Sequence, residues 1–248
     1  GRQWLASAGF DGTVRLWDVA SGEAGPVLRG HDSWLWSCAF APQPDTAGRQ
    51  WLVSAGEGGT VRLWDVASGE AGPVLRGHEG LVTSCAFAAQ PDDAGRQWLA
   101  SAGFDGTVRL WDVASGEAGP VLRGHDNIVS SCAFAPLPDP AGRQWLASAG
   151  HDGAVRLWDA SSGEAGPVLR GHVAGVMSCA FAAQPDAEGR QWLAGGGGDG
   201  TVRLWDASSG EAGPVLRGHD NIVSSCAFAA QPDAAGRQWL ASAGHDGA

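Results

Sequence analysis

A tetrapeptide, Gly-Arg-Gln-Trp, recurs along the chain at a fixed interval. It begins at residues 1, 48, 95, 142, 189 and 236 of the 248-residue sequence, so the interval is always 47 residues. A period of this length is typical of architectures that stack one small supersecondary unit many times. The chain divides, without linkers, into five repeats and a partial sixth: 1–47, 48–94, 95–141, 142–188, 189–235 and 236–248. We therefore predict a single repeat array over residues 1–248.

Each repeat contains four short segments with strand character, separated by turn signals. In the second repeat these segments are 50–56, 60–65, 72–77 and 81–87. The third segment holds Pro73, which an edge strand tolerates, and the fourth is apolar or small on both faces. One small sheet cannot bury both of its faces alone, so neighbouring repeats must stack. We predict an all-β fold of four-stranded antiparallel sheets arranged radially, as in a β-propeller.

The charge balance excludes two classes of partner. The chain carries 27 acidic residues against 16 basic ones, for a formal net charge of −11. This charge repels phosphate backbones and anionic lipid surfaces. The sequence also contains no apolar run of the roughly 18 residues that a membrane helix needs. We expect neither nucleic acid nor a membrane as a partner.

Two dipeptides that recur in every repeat identify a family resemblance. Gly-His pairs stand at 30–31, 77–78, 124–125, 171–172 and 218–219, and Trp-Asp pairs follow at 64–65, 111–112, 158–159 and 205–206. This pattern resembles the WD-repeat (WD40) family along the whole chain. The resemblance implies a β-propeller that acts as a rigid interaction platform, usually without catalysis and without a cofactor. The period is slightly long for the family, and we place the surplus in the loop AAQPDDAGRQ and its equivalents.

The resemblance also implies a hydrogen-bonded network inside each blade. It joins the Gly-His histidine, a serine of the second strand, an aspartate of the next turn and the Trp-Asp tryptophan. Two repeats hold complete sets: His78, Ser101, Asp105 and Trp111, and His125, Ser148, Asp152 and Trp158. Two sets lack a member, because Gly58 replaces the aspartate in one and Gly195 replaces the serine in the other. We expect a buried polar group to be left unmet in both, and these two blades to be the less rigid ones.

Three residue types invite sharper interpretations. Serine, histidine and aspartate recurring together could form a hydrolase triad, but repetition in register with the strands favours a structural network. Five cysteines, also 47 residues apart, could pair or bind metal; we favour buried thiols in a reducing, cytoplasmic compartment and expect no metal site. The arginines of VRLWD could ring an anion, but we favour contacts with the Trp-Asp aspartates and nearby glutamates. These residues are Cys38, Cys85, Cys132, Cys179 and Cys226, and Arg15, Arg62, Arg109, Arg156 and Arg203.

Because the repeats are nearly identical, the positions where they differ are informative. Three positions vary in chemical type: three and five residues after the Gly-His histidine, and the residue before the turn aspartate. Packing would penalise such volume changes in a core, so we expect surface sites, and the resemblance places them on one end of the propeller. Drift at exposed positions and selection for binding would both produce this pattern. The predicted partner-binding residues are Trp34, Trp36, Phe10, Glu57, Leu81, Thr83, Phe104, Ile128, Ser130, His151 and Met177.

The sequence leaves several possibilities for how the propeller ring is completed. In a five-bladed ring His219 would join Ser7, Asp11 and Trp17, which leaves residues 236–248 without a partner. The alternatives are an arc cut from a larger propeller, which we favour, or a ring completed by pairing with another copy. An open arc would expose sheet edges and self-associate.

The sequence supports three hypotheses about function. The leading one is a noncatalytic scaffold or sensor that binds a protein or peptide. Near-identical repeats of this composition resemble bacterial members of the family, in which such arrays are often fused to a signalling NTPase or a protein kinase. The second is an architectural array whose role is self-assembly, and the third is a hydrolase that uses the propeller channel.

Overall fold

Twenty-one short strands and one 3₁₀ turn make up the secondary structure of the part of the chain that the computed structural model describes, residues 3–247. The strands form six antiparallel sheets, four of which have four strands. The first sheet has three strands: β1 (Trp4–Ala8), β2 (Thr13–Asp18) and β3 (Ala24–Arg29). The second has four: β4 (Leu35–Phe40), β5 (Trp51–Gly56), β6 (Thr60–Asp65) and β7 (Ala71–Arg76).

The remaining sheets repeat this plan. The third contains β8 (Val82–Phe87), β9 (Trp98–Gly103), β10 (Thr107–Asp112) and β11 (Ala118–Arg123). The fourth contains β12 (Val129–Phe134), β13 (Trp145–Gly150), β14 (Val155–Asp159) and β15 (Ala165–Leu169). The fifth contains β16 (Val176–Phe181), β17 (Trp192–Gly197), β18 (Thr201–Asp206) and β19 (Ala212–Arg217). The sixth has two strands, β20 (Val223–Phe228) and β21 (Leu240–Gly244).

These sheets confirm the predicted fold class. Strands follow one another in chain order across each complete sheet, and the proline-containing strand lies at an edge. In the second repeat each predicted strand agrees with the observed one to within one residue at either end. The proline is tolerated there because an edge strand needs no N–H on its open side.

The core lies on both faces of the complete sheets. In β6, Val61 and Leu63 are fully buried on one face and Trp64 is 1% exposed on the other. Such a strand requires a neighbour on each side, because successive side chains point to opposite faces. In one buried cluster Leu28 of the first sheet meets Leu52 and Trp64 of the second. Within each compact unit, stacking between consecutive sheets therefore supplies burial that one sheet lacks.

The chain forms two compact units, each described by itself below. One extends to Asp105 and includes Arg109–Gly119, and the other comprises Gly106–Val108 and the chain from Pro120 onward. The prediction of one array over the whole chain stays a prediction.

In the second to sixth sheets, an aspartate holds the loop between the first two strands. Asp45 Oδ1 accepts hydrogen bonds from the backbone N–H groups of Ala47 and Arg49, both at 2.9 Å. Its Oδ2 accepts from Arg49 Nε at 2.9 Å and from Trp51 Nε1 at 3.0 Å. The Arg49 guanidinium also lies over the Trp51 ring, 4.9 Å from its centroid. The surplus residues of the 47-residue period thus form an ordered loop.

The same arrangement recurs in four more loops. It uses Asp92, Arg96 and Trp98; Asp139, Arg143 and Trp145; Asp186, Arg190 and Trp192; and Asp233, Arg237 and Trp239. Burial alone would raise the pKa of Asp45, but the hydrogen bonds from Arg49 and Trp51 lower it to about 2. The carboxylate is therefore ionised near neutral pH and accepts all of these bonds as a charged group.

Candidate functional site

The positions that vary between repeats lie in turns and at β-bulges. In the second to sixth sheets, the pairing between the first two strands shifts by one residue. In the second sheet the shift falls between Leu35 and Ser37 of β4. The extra residue of this bulge is Trp36 there, and Thr83, Ser130, Met177 and Ser224 in the other sheets. A bulge leaves its extra residue unpaired and re-aims the side chain. One of the three variable positions is therefore the residue that each bulge leaves out of the ladder pairing.

Three aromatic side chains of the first unit form an exposed group, called here the aromatic cluster: Phe10, Trp34 and Trp36. The Phe10 ring stacks on the Trp34 ring with centroids 4.9 Å apart and an interplanar angle of 25°. The Phe10 and Trp36 rings are 5.6 Å apart and tilted by 48°. Phe10 is 61% exposed, Trp34 48% and Trp36 51%. The contacts connect the turn of the first sheet with the start of the second.

Backbone hydrogen bonds fix the segments that carry the cluster. Leu35 N donates to Gly9 O at 3.2 Å, which ties the start of β4 to the turn that holds Phe10. Glu57 N donates to Trp34 O at 2.9 Å, and the Glu57 carboxylate accepts a hydrogen bond from the Ser33 hydroxyl. Leu35 itself is 2% exposed. Trp34 and Trp36 thus lie on either side of the buried Leu35, and the backbone of this segment is hydrogen-bonded to Gly9 and to Glu57.

The other predicted binding residues of the first unit are placed differently. Phe104 is 50% exposed, and Leu81, Thr83 and Glu57 are half-buried. The Thr83 hydroxyl donates to Ala102 O at 2.9 Å, so it serves its own sheet.

Four predicted binding residues belong to the second unit. His151 is exposed, whereas Ile128 and Met177 are half-buried. Ser130 Oγ is buried without a hydrogen-bond partner among the described residues, so this hydroxyl is not the surface group that the sequence comparison predicts.

The structure brings the four residues of the expected network together in the third sheet. His78 Nδ1 lies 2.9 Å from Asp105 Oδ2, and its Nε2 lies 2.8 Å from Ser101 Oγ. Trp111 Nε1 donates to Ser101 Oγ at 2.9 Å. Every bond is satisfied when Trp111 donates to Ser101, Ser101 donates to a neutral His78, and His78 Nδ1–H donates to Asp105. Burial lowers the pKa of His78, against the opposing effect of Asp105, which favours this neutral ring.

The fourth sheet holds an equivalent set within the second unit. His125 Nδ1 lies 3.0 Å from both carboxylate oxygens of Asp152, and Nε2 lies 2.8 Å from Ser148 Oγ. Trp158 Nε1 donates to Ser148 Oγ at 2.8 Å. Ser101 and Ser148 are both fully buried. A serine enclosed in this way cannot reach a substrate, which favours a structural role over a triad.

The set that lacks a serine does not leave its donors unmet, contrary to the sequence expectation. Trp205 Nε1 donates instead to Arg170 O at 3.3 Å, and His172 Nε2 lies 3.1 Å from Gly195 O. Backbone carbonyls replace the missing hydroxyl because glycine leaves space for the ring edges to approach the chain: a Cβ on Gly195 would lie 2.9 Å from the Trp205 ring.

The set that lacks an aspartate keeps its serine contact. His31 Nε2 lies 2.8 Å from Ser54 Oγ, which also accepts from Trp64 Nε1 at 2.8 Å. Gly58 offers no carboxylate to counter the cost of burial. Burial and the nearby Arg62 together lower the pKa of His31 to about 4.

The sixth sheet corrects the hypothesis of a five-bladed ring. His219 pairs with Asp246 at 2.6 Å and with Ser242 at 2.8 Å, instead of with Ser7 and Asp11. Residues 236–248, expected to have no partner in such a ring, contain β21, which pairs with β20. Ser7 and Asp11 bond within the first sheet, to Trp17 and Thr13.

The arginines of VRLWD were predicted wrongly. Arg62 and Asp65 are three residues apart in one strand, so their side chains point to opposite faces, and Asp65 Oδ1 accepts from Ala67 N in its own turn. Arg15 lies 3.6 Å from Asp11, not from the Trp-Asp aspartate. The Nε atoms of the others are buried without a hydrogen-bond partner among the described residues: Arg62, Arg109, Arg156 and Arg203.

The five cysteines, all within the described residues, form no disulfide, and all but the half-buried Cys38 are buried. Burial raises the pKa of Cys226 and that of Cys179. Cys179 N donates to Ser131 Oγ of the preceding sheet at 3.2 Å.

In residues 3–247 no group of histidine, cysteine and carboxylate side chains is arranged to hold a metal ion. Within the same residues no helix has the length and apolar character needed to cross a bilayer.

Comparison with known proteins gives several short matches. The chain is 45% identical over 40 residues to nuclear distribution protein PAC1-1 of the fungus Uncinocarpus reesii, and 51% identical over 39 residues to human WD repeat and SOCS box-containing protein 1. A third match, to nuclear distribution protein PAC1 of Mycosarcoma maydis, is 42% identical over 40 residues. These matches cover 15–16% of this chain and 9% of each relative.

The model of one protein family matches most of the chain. The family is described as "WD domain, G-beta repeat", and the matches cover residues 1–18, 22–65, 69–112, 116–159 and 163–206. The matched residues contain four of the five Gly-His pairs and all of the Trp-Asp pairs, and four of the observed sheets are four-stranded antiparallel units. The chain belongs to the WD40 repeat family.

Proposed function

We propose that this protein is a noncatalytic platform that binds a protein or peptide through the aromatic cluster. The observation that carries the proposal is the joint exposure of Phe10, Trp34 and Trp36 in mutual contact. Exposed aromatic side chains of this size are the residues that dominate binding energy at interfaces. Contact between rings also restricts their rotamers before a ligand arrives, which lowers the entropic cost of binding.

The remaining variable residues are proposed as additional ligand contacts. In the first unit these are Glu57, Leu81, Thr83 and Phe104. In the second unit the equivalent positions are Ile128, Ser130, His151 and Met177, and Ser130 is the weakest member because its hydroxyl is buried. The buried serines of the histidine networks support binding over hydrolysis. A cytoplasmic, signalling role in a bacterial protein fused to an NTPase or a kinase is a further part of the proposal and rests on the family resemblance alone.

Selection from a displayed library of random peptides tests the binding role. Peptides are selected on the wild-type protein and counter-selected on a double variant, Trp34→Leu with Trp36→Thr. The neighbouring repeat has Leu81 and Thr83 at these two positions, so the double variant adopts a combination that this fold already contains. Recovery of peptides that bind only the wild type supports the proposal. Recovery of peptides that bind both proteins equally contradicts it.

Self-assembly is a second candidate, and one observation favours it. Leu5 of β1 is 59% exposed, whereas the equivalent leucine of each four-stranded sheet is fully buried: Leu52, Leu99, Leu146 and Leu193. The first sheet has three strands and β1 lies at its edge. An open strand with an apolar face is a template for pairing with another chain.

A further inference from the structure

The aromatic cluster offers ring surface to solvent. Phe10 contacts both tryptophans, yet about half of each of the three residues stays exposed. The face of an aromatic ring carries the negative end of a quadrupole, and indole is the strongest attractor of cations among the side chains. Two exposed indoles beside a phenyl ring can therefore hold a cation as well as an apolar group.

Acidic residues lie next to two members of the aromatic cluster, Phe10 and Trp34. Asp11 follows Phe10 directly and is exposed, and Asp32 is exposed two residues before Trp34. The Glu57 backbone is hydrogen-bonded to Trp34 O, and its carboxylate accepts from Ser33, the residue before Trp34. The hydroxyl and backbone N–H of Thr13 donate to Asp11 Oδ1 and lower the pKa of Asp11, so its charge persists at neutral pH.

Few cations of the chain itself offset these charges. The sequence contains no lysine. Arg15, with its side chain 44% exposed, lies 3.6 Å from Asp11 Oδ2 and balances part of one carboxylate. The formal charge of the whole chain is −11, so the surrounding field has the same sign. An anionic ligand would be repelled here, whereas a cation gains from both the rings and the carboxylates.

From this complementarity we infer that the aromatic cluster takes a cationic side chain, an arginine or a lysine, presented by an extended peptide. The inference rests on the proposed function and names the chemistry of its ligand. A guanidinium is planar and stacks on aromatic faces, and its N–H groups can bond the flanking carboxylates. An ammonium group is a compact charge that meets the ring faces without stacking.

A set of matched peptides tests the inference directly. The probes are the acetylated, amidated pentapeptides Gly-Ser-X-Gly-Ser in which X is arginine, lysine, citrulline or glutamate. Citrulline keeps the shape of arginine and removes its charge. Titration into ¹⁵N-labelled protein is followed through the indole N–H signals of Trp34 and Trp36. We expect the arginine and lysine peptides to shift these signals, with citrulline at least about tenfold weaker.

Charge-removing variants and salt give the second readout. Glu57→Gln together with Asp32→Asn should weaken the arginine peptide several-fold, while glutamine still accepts the hydrogen bond from Ser33. Raising the salt concentration should weaken binding as well, because the groups are exposed. Val173→Ala, at an 89%-exposed position of the second unit, is the control that should change nothing. The urea midpoint of each variant confirms that it is folded.

The outcomes separate the two proposals. Equal binding of the citrulline and arginine peptides, or no response to any of the four, overturns the inference. If library peptides that depend on the cluster show no enrichment in arginine or lysine, the inference is wrong and the proposed function stands. If no library peptide depends on the cluster, the proposed function is wrong and the inference falls with it.

Discussion

At the scale of single residues, the serine of each histidine network has two hydrogen bonds to satisfy. Ser101 Oγ accepts from Trp111 and donates to His78, and all three side chains are buried. Removing the hydroxyl leaves an indole N–H and an imidazole nitrogen without partners in the interior. Unmet buried groups of this kind cost about 1–3 kcal/mol.

We therefore expect Ser101→Ala to lower the free energy of unfolding by about 1–3 kcal/mol. Urea denaturation followed by circular dichroism measures the change. Ser242→Ala is the matched control, because Ser242 makes the same bond to His219 at an exposed site. A loss as large in the control as in Ser101→Ala would contradict the role assigned to burial.

His31 predicts a dependence of stability on pH. Its pKa in the folded protein is about 4, below the ordinary value of 6.5. Between about pH 4 and pH 6.5 His31 therefore binds a proton in the unfolded chain but not in the folded one. The stability associated with the neutral His31 is complete above about pH 6.5 and is lost as the pH falls towards 4. We expect His31→Gln to lose less stability than the wild type between pH 7 and pH 4.5, measured by urea midpoints. Parallel curves for the two proteins would contradict this account.

Contacts of single residues were only partly predictable. The histidine sets could be anticipated because the family resemblance supplies the partners and the 47-residue period supplies the positions. The arginine contacts could not, because proximity in sequence suggested aspartates that the strand turns to the opposite face. The carbonyl partners of Trp205 and His172 were equally invisible, since backbone geometry decides them.

At the scale of secondary structure, a glycine in each proline-containing edge strand accommodates a tryptophan of the same sheet. A Cβ on Gly72 of β7 would lie 2.6 Å from the Trp51 ring, closer than side-chain carbons approach. The ring is held by its hydrogen bond to Asp45 and by the stacked Arg49. It therefore cannot move away without losing these contacts.

We expect Gly72→Ala to destabilise the protein by about 1–3 kcal/mol through overpacking. The urea midpoint of the variant measures the effect. Gly218→Ala is the control, because a Cβ there meets no atom within 4 Å. A neutral Gly72→Ala would show that the loop yields easily, against the ordered loop described above.

The sequence predicted the strands well and missed the aspartate loops. Periodic apolar residues and glycine turns located the strands of the second repeat closely, because both signals are local. The length of the period assigns surplus residues to this loop but does not predict its structure. A recurring sequence signal is nevertheless present: an aspartate, an arginine four residues later and a tryptophan two residues after that. The β-bulge at Trp36 has no recognisable sequence signal, because a one-residue shift in pairing depends on the partner strand as well.

At the scale of the whole molecule, the open sheet edges predict self-association. β1 lies at the edge of its sheet, and its Leu5 side chain adds exposed apolar surface on one face. We expect the average mass from light scattering to rise with protein concentration, and Leu5→Lys to reduce the rise, since a charge on an edge strand opposes pairing. Val173→Lys is the control for added charge. A mass that stays that of a monomer at all concentrations would contradict this prediction.

The aromatic cluster is the proposed ligand-binding surface of this WD40 protein. The most direct test is the affinity of a library-selected peptide for the wild type and for Trp34→Leu/Trp36→Thr, measured by calorimetry. We predict at least about tenfold weaker binding by the double variant, as expected for loss of aromatic hot spots, with an unchanged urea midpoint. Equal affinity of the two folded proteins would contradict the account.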